Sequence, residues 1–112
     1  MSLPLFRAKA ELFRTLGHPV RVRVLELLQV GPCPVRELLA EIDVEPSNLS
    51  QQLAVLRRAG LVTSARDGAL VVYSLSTADV ADLLAAGRRI LSAVYADRDG
   101  LLEQLRAESG QR

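Results

Sequence analysis

Residues 45–60 read EPSNLSQQLAVLRRAG, and the way their side chains distribute around a helix decides the fold. Pro46 suits the first helical position, where its missing N–H is not needed, and Gly60 is a natural stop. At about 100° per residue, Leu49, Leu53 and Leu56 share one face, which demands packed neighbours. Opposite them lie Ser47, Gln51, Ala54 and Arg58, with Asn48 and Ser50 flanking near the start. That outward face is short, polar and rich in amides. Asn and Gln pair bidentately with adenine, Ser reaches bases or phosphates, and a small Ala admits a thymine methyl. An ordinary solvated helix would show a similar face, so its surroundings must separate the two readings.

Upstream, Asp43-Val44-Glu45 is a short connection from a third helix that Pro34 opens and that runs through Leu38, Leu39 and Ile42. A second helix starts at His18-Pro19, with Pro19 at its first position and Val20, Val24, Leu27 and Leu28 as its buried face, and stops at Gly31-Pro32. A first helix spans about Leu5 to Leu16; Leu5, Leu12 and Leu16 form its stripe, Phe6 and Phe13 lie beside them, and Gly17 ends it. Downstream, Leu61–Leu75 changes to a period of two, with Val62, Ser64 and Arg66 on one arm and Val71, Tyr73 and Leu75 on the other. Asp67-Gly68 between the arms is read as the turn, since both central residues must tolerate positive φ. The expectation is a two-stranded ribbon.

From Thr77 the pattern is helical again, with Ser76 or Thr77 able to cap it. Val80, Leu84, Gly87, Leu91, Val94, Arg98, Leu101 and Leu105 follow a four-three seam, widened by Leu83, Ile90 and Leu102. A helix from Ser76 to about Arg106 would be ~45 Å long, far beyond the ~13 Å radius of gyration of a compact chain of this size. It requires a cover, or a break at Gly100. Three helices, a tight turn between the last two and a following hairpin make a winged helix-turn-helix. The expected fold class is therefore mainly α with a small β-hairpin wing. The chain is expected to be one domain over residues 1–112, with its winged-helix core at 18–76. That context favours the DNA reading of the fourth helix.

Composition constrains the rest. The 112 residues carry 14 basic and 13 acidic side chains, a net charge of +1, so a global electrostatic case for nucleic-acid binding fails and local arrangement must supply it. An apolar fraction of 49% supports a real core and argues against disorder. A single cysteine, Cys33, excludes a disulfide within the chain. No apolar run approaches a membrane span and the start is too polar for a signal peptide, so a cytoplasmic protein with no membrane partner is expected. No nucleophile–base pair, phosphate-binding glycine loop or metal cluster points to an enzyme, and no cofactor is expected.

Together LFRTLGHPVRVRVLELL (12–28), VRELLAEIDVEPSNLSQQLAVLRRAGLV (35–62) and RDGALVVYSL (66–75) resemble the ArsR/SmtB family of bacterial winged-helix transcriptional regulators. The resemblance implies a homodimer through the first and last helices, residues 1–17 and 77–108. Leu5, Leu12, Leu16, Leu84, Leu91 and Val94 are then its interface. It implies binding to an imperfect inverted repeat in double-stranded promoter DNA. Carried over by position, Ser47, Asn48, Ser50, Gln51 and Gln52 read DNA, Arg66 is the wing contact, and Arg57 and Arg58 stand near the helix end. For Arg57 an ion pair with a carboxylate competes with phosphate contact; Arg21, in the family's P-x-R element, is read as structural. The metal motifs of the family are missing. The third-helix position reads Pro34-Val35-Arg36-Glu37 with Cys33 alone beside it, and the last helix has no histidine. His18 is read as a helix-start or interface histidine rather than a ligand. Asp97, Asp99 and Glu103 could make only a weak, hard-metal site. A different class remains open: a winged-helix dimer acting mainly as a protein-interaction module or with a sensing co-regulator.

Overall fold

The computed structural model describes residues 3–109; in its last helix the side chains of Asp97, Asp99, Leu101, Leu102, Gln104, Leu105, Glu108 and Ser109 lie outside that description. The elements run α1 (Leu5–Leu16), α2 (Pro19–Leu28), β1 (Cys33–Pro34), α3 (Val35–Glu41), α4 (Pro46–Arg58), β2 (Val62–Asp67), β3 (Leu70–Leu75) and α5 (Ala78–Ser109). Two compact units result, one up to Ala81 and one from Asp82 onward. Among the described residues, no helix is long and apolar enough to cross a membrane.

Local chemistry sets the helix ends. Pro19 sits in the first turn of α2, and the imidazole of His18 accepts a hydrogen bond from the Val20 N–H at 3.2 Å, so His18 is a helix cap. The last turn of α4 closes with Gly60 N–H donating to the Arg57 carbonyl and Leu61 N–H to that of Leu56, both at 3.0 Å. Gly60 sits at φ 79°. This is a Schellman stop, and it needs the left-handed conformation that glycine adopts without penalty. The Thr77 hydroxyl accepts from the Asp79 N–H at the start of α5.

The first unit holds the core: Val24, Leu25, Leu28, Leu38, Ile42, Leu49, Leu53, Leu56, Val62, Tyr73 and Val80 are buried. These residues come from α2, α3, α4, the sheet and the first turn of α5. α1 has no buried residue. On α2 the buried set is Val24, Leu25 and Leu28, whereas Val20 and Leu27, expected inside, are half-buried. The face is centred roughly 60° further round the helix than the leucine and valine spacing suggests.

The sheet corrects two expectations. It has three antiparallel strands in the order β1-β3-β2, not two. Cys33 pairs with Tyr73 and Pro34 with Val72, so the segment before α3 becomes a strand pinned to the wing. The β2–β3 register extends to Asp67↔Leu70, which moves the turn to Gly68-Ala69. Only Gly68 has positive φ, at 63°; a two-residue turn with glycine at its first central position needs no second such residue. Gly100 does not break α5, which runs through it for 32 residues, ~48 Å at the usual rise.

Candidate nucleic-acid interface

The α3–turn–α4 unit presents α4 with its leucines inward and its polar residues out. Leu49, Leu53 and Leu56 are buried; Ser47, Ser50, Gln51 and Arg58 are exposed; Asn48 and Ala54 are half-buried. Glu45 precedes the helix in extended conformation without a side-chain cap. The first-turn N–H groups therefore stay open, at the positive end of the helix dipole, where a phosphate binds well. Arg57 and Arg58 occupy the last turn.

Gln52, a DNA-reading position by resemblance to the family, is turned inward. It is 9% exposed; its Oε1 accepts from Arg21 Nε at 2.8 Å, and its Nε2 donates to Asn48 Oδ1 at 2.9 Å. The helical wheel carries the signal that finds this: three steps from Leu49 set Gln52 about 60° from the centre of the buried face. Arg21 also donates to the Thr15 carbonyl at 3.2 Å. It is the structural residue expected, with an amide and a carbonyl as partners.

The wing lies on the same unit. Arg66 is exposed and pairs across the hairpin with Val71, two residues before the turn at Gly68-Ala69. Between α4, the start of α3 and the wing is a cleft of about 610 Å³, lined by Arg36, Ser50, Arg57 and Tyr73 among others. Arg57 NH1 donates to the Tyr73 hydroxyl at 3.4 Å, so its partner is a phenol and not a carboxylate. These side chains supply neutral donors and acceptors, from Ser50 and Tyr73, and guanidinium groups, from Arg36 and Arg57. Such an arrangement suits base edges flanked by phosphates.

Cys33 faces a different chemistry. Its thiol lies 3.5 Å from the Pro34 carbonyl and 3.7 Å from Glu37 Oε2. Burial pushes the thiol pKa above its ordinary value, and the charge of Glu37, its hydrogen bond, and the charge of Glu41 push it further the same way. That surrounding favours the protonated thiol over the thiolate a metal or an oxidant needs. Among the described residues, no three His, Cys, Asp or Glu side chains are grouped to hold a metal ion; Asp97 and Asp99 of the carboxylate set lie outside that description.

A family profile described as bacterial regulatory protein, arsR family, matches residues 18–64. The chain is 52% identical over 107 residues to the uncharacterized HTH-type transcriptional regulator Rv0081 of Mycobacterium tuberculosis, covering 95% of this chain and 94% of that one. It is 40% identical over 87 residues to a biofilm growth-associated repressor of Agrobacterium fabrum, 78% of this chain and 68% of the other. The crystal structure of Rv0081 superposes with a TM-score of 0.80 over 87% of this chain and 98% of that chain. A homodimeric winged helix-turn-helix DNA-binding domain from Mycobacterium bovis, solved by NMR, superposes with a TM-score of 0.73 at 25% identity, covering 82% and 86% of the two chains.

Proposed function

We propose, from the premise that this chain belongs to the arsR family of bacterial regulatory proteins and is a DNA-binding transcriptional regulator, that it works as a homodimer on an inverted repeat. In this reading it is a cytoplasmic regulator without enzymatic activity. The observation that carries the proposal is the exposed polar face of α4, Ser47, Ser50, Gln51 and Arg58, standing beside the wing. Ser47, Asn48, Ser50 and Gln51 meet base edges, while Arg58 and Arg66 meet the backbone. Two such helices about 34 Å apart enter successive major grooves. The apolar side chains left exposed on α1 and α5 support the pairing. Leu5 is 69% exposed and Leu91 50%, with Phe6, Phe13, Ile90 and Val94 also exposed; Leu12, Leu16 and Leu84 are half-buried. The M. bovis domain, which shares the fold, is a homodimer, and that supports the same assembly here.

A gel-shift titration on the protein's own upstream region tests this: a dimer-sized complex on an inverted repeat is expected, and no complex at micromolar protein overturns it. Within that assay, Gln51→Ala should cost about 1–3 kcal/mol at the specific site with helix content unchanged. Arg66→Ala should weaken specific and random DNA alike and lower the slope of log K against log salt by about one unit, as loss of one phosphate contact requires.

A further inference from the structure

The exposed face of α4 rests on a polar chain in which chemistry fixes the direction of every hydrogen bond. Arg21 of α2 starts it, donating through NH1 to the Thr15 carbonyl at the end of α1 and through Nε to Gln52 Oε1. A guanidinium has no acceptor. Gln52 must therefore turn its oxygen to Arg21, and its NH2 group is left to face Asn48, 2.9 Å from Asn48 Oδ1. Gln52 is 9% exposed, so water gives its amide no alternative partner of comparable access. The Asn48 amide is fixed in turn, because flipping it would set one NH2 group against another. With Oδ1 turned to Gln52, which takes one of its two lone pairs, the group of Asn48 left wholly without a partner in this chain is Nδ2, with two donors.

We propose that Asn48 is a specificity-determining residue that meets the major groove through its Nδ2 donors, and that Gln52 and Arg21 are positioning residues that impose this orientation of its amide. The proposal rests on the reading that the exposed face of α4 meets base edges. Its chemistry selects a base with an outward acceptor: guanine O6 or N7, thymine O4, or adenine N7. Cytosine, which offers only its amine there, gives Nδ2 no acceptor. Arg21 also ties this chain to α1, so the donor is oriented by contacts spanning three helices.

The test is selection from a pool of randomised duplex DNA with four proteins: the parent, Asn48→Ala, Gln52→Glu and Gln52→Met. Gln52→Glu keeps its partner Arg21 as an ion pair but offers Asn48 an acceptor, so the Asn48 amide must turn over and expose its oxygen. At the base pair where Asn48→Ala loses its preference, Gln52→Glu is expected to shift selection toward a base with an exocyclic amine, by about tenfold, leaving other positions as in the parent. Gln52→Met, similar in length but without hydrogen-bonding groups, frees the amide and should flatten the preference at that pair alone. A Gln52→Glu protein that selects the parent's base pair overturns the proposal. So does an even loss of affinity across all positions in both Gln52 variants, which is what a merely structural residue would give. If the parent enriches a sequence and Asn48→Ala enriches the same one, the Asn48 assignment falls while base reading by α4 stands. If the parent enriches no sequence, base reading itself fails and this proposal with it.

Discussion

Leu91→Glu is expected to yield a folded monomer that no longer binds the inverted repeat. Leu91 is 50% exposed, and Ile90 and Val94 beside it are 61% and 56% exposed. An exposed Leu on a self-pairing helix is buried twice in a twofold dimer. Burying one fully is worth roughly 1.5–3 kcal/mol, and Leu91 is already half-buried, so the two lost contacts amount to about 1.5–3 kcal/mol, or roughly ten- to a hundredfold in the dimer dissociation constant. A carboxylate at the seam adds desolvation on top. Operator affinity should fall by more than the dimer constant alone suggests, since a single domain in a chain of net charge +1 has little non-specific affinity behind it. Light scattering at micromolar concentration checks this. The parent should show about 24 kDa, twice the 12.2 kDa chain, and the variant the chain mass. A parent of chain mass would sink the dimer and the inverted-repeat mechanism together.

The largest effect on stability is expected at Leu25. It is fully buried on α2, the helix that contacts α1, α4 and β3. Leu25→Ala removes the packed side chain and leaves a cavity, at a cost of about 2–5 kcal/mol. That is a large share of the ~5–15 kcal/mol a domain commands. Val30→Ala, at a side chain 94% exposed, should stay within about 0.5 kcal/mol of the parent. Urea unfolding of all three proteins at one fixed concentration measures the contrast; the concentration must match because dimerisation shifts the midpoint. A Leu25→Ala midpoint equal to that of Val30→Ala would mean that α2 is not the centre of the core.

The helices were legible because local residues end them. Pro19, Pro46 and Gly60 act through their own φ or their missing N–H, and Gly17 follows the last turn of α1; the bounds of α1 and α4 and the start of α2 match such positions within a residue, whereas α2 ends at Leu28, short of the stop expected at Gly31-Pro32. The third strand was not legible, because Cys33-Pro34 has no alternation to read and its partner lies about forty positions away at Val72-Tyr73. The turn at Gly68-Ala69 slipped by one residue from Asp67-Gly68 since one left-handed residue, not two, closes it. On α4 the inward leucines and the outward Ser47, Gln51 and Arg58 followed from the 3.6-residue period alone. Gln52 stands at a DNA-reading position by resemblance to the family, while its angle on the helix sets it beside the leucines. Its partner Arg21, 31 residues earlier, is a pairing no local pattern records.

The short strand β1 also decides what the sheet cannot do. Any sheet of this size has two rims, and a rim with free N–H and C=O groups recruits further strands from other molecules. On one side the rim is only Cys33-Pro34, and a proline has no N–H to offer an incoming chain. On the other, β2 reads Val62-Thr63-Ser64-Ala65-Arg66-Asp67, exposed from Thr63 onward and ending in opposite charges. Both rims therefore discourage edge-to-edge growth. A hairpin held out in solvent can thus stand free without seeding fibrous association through its own edge.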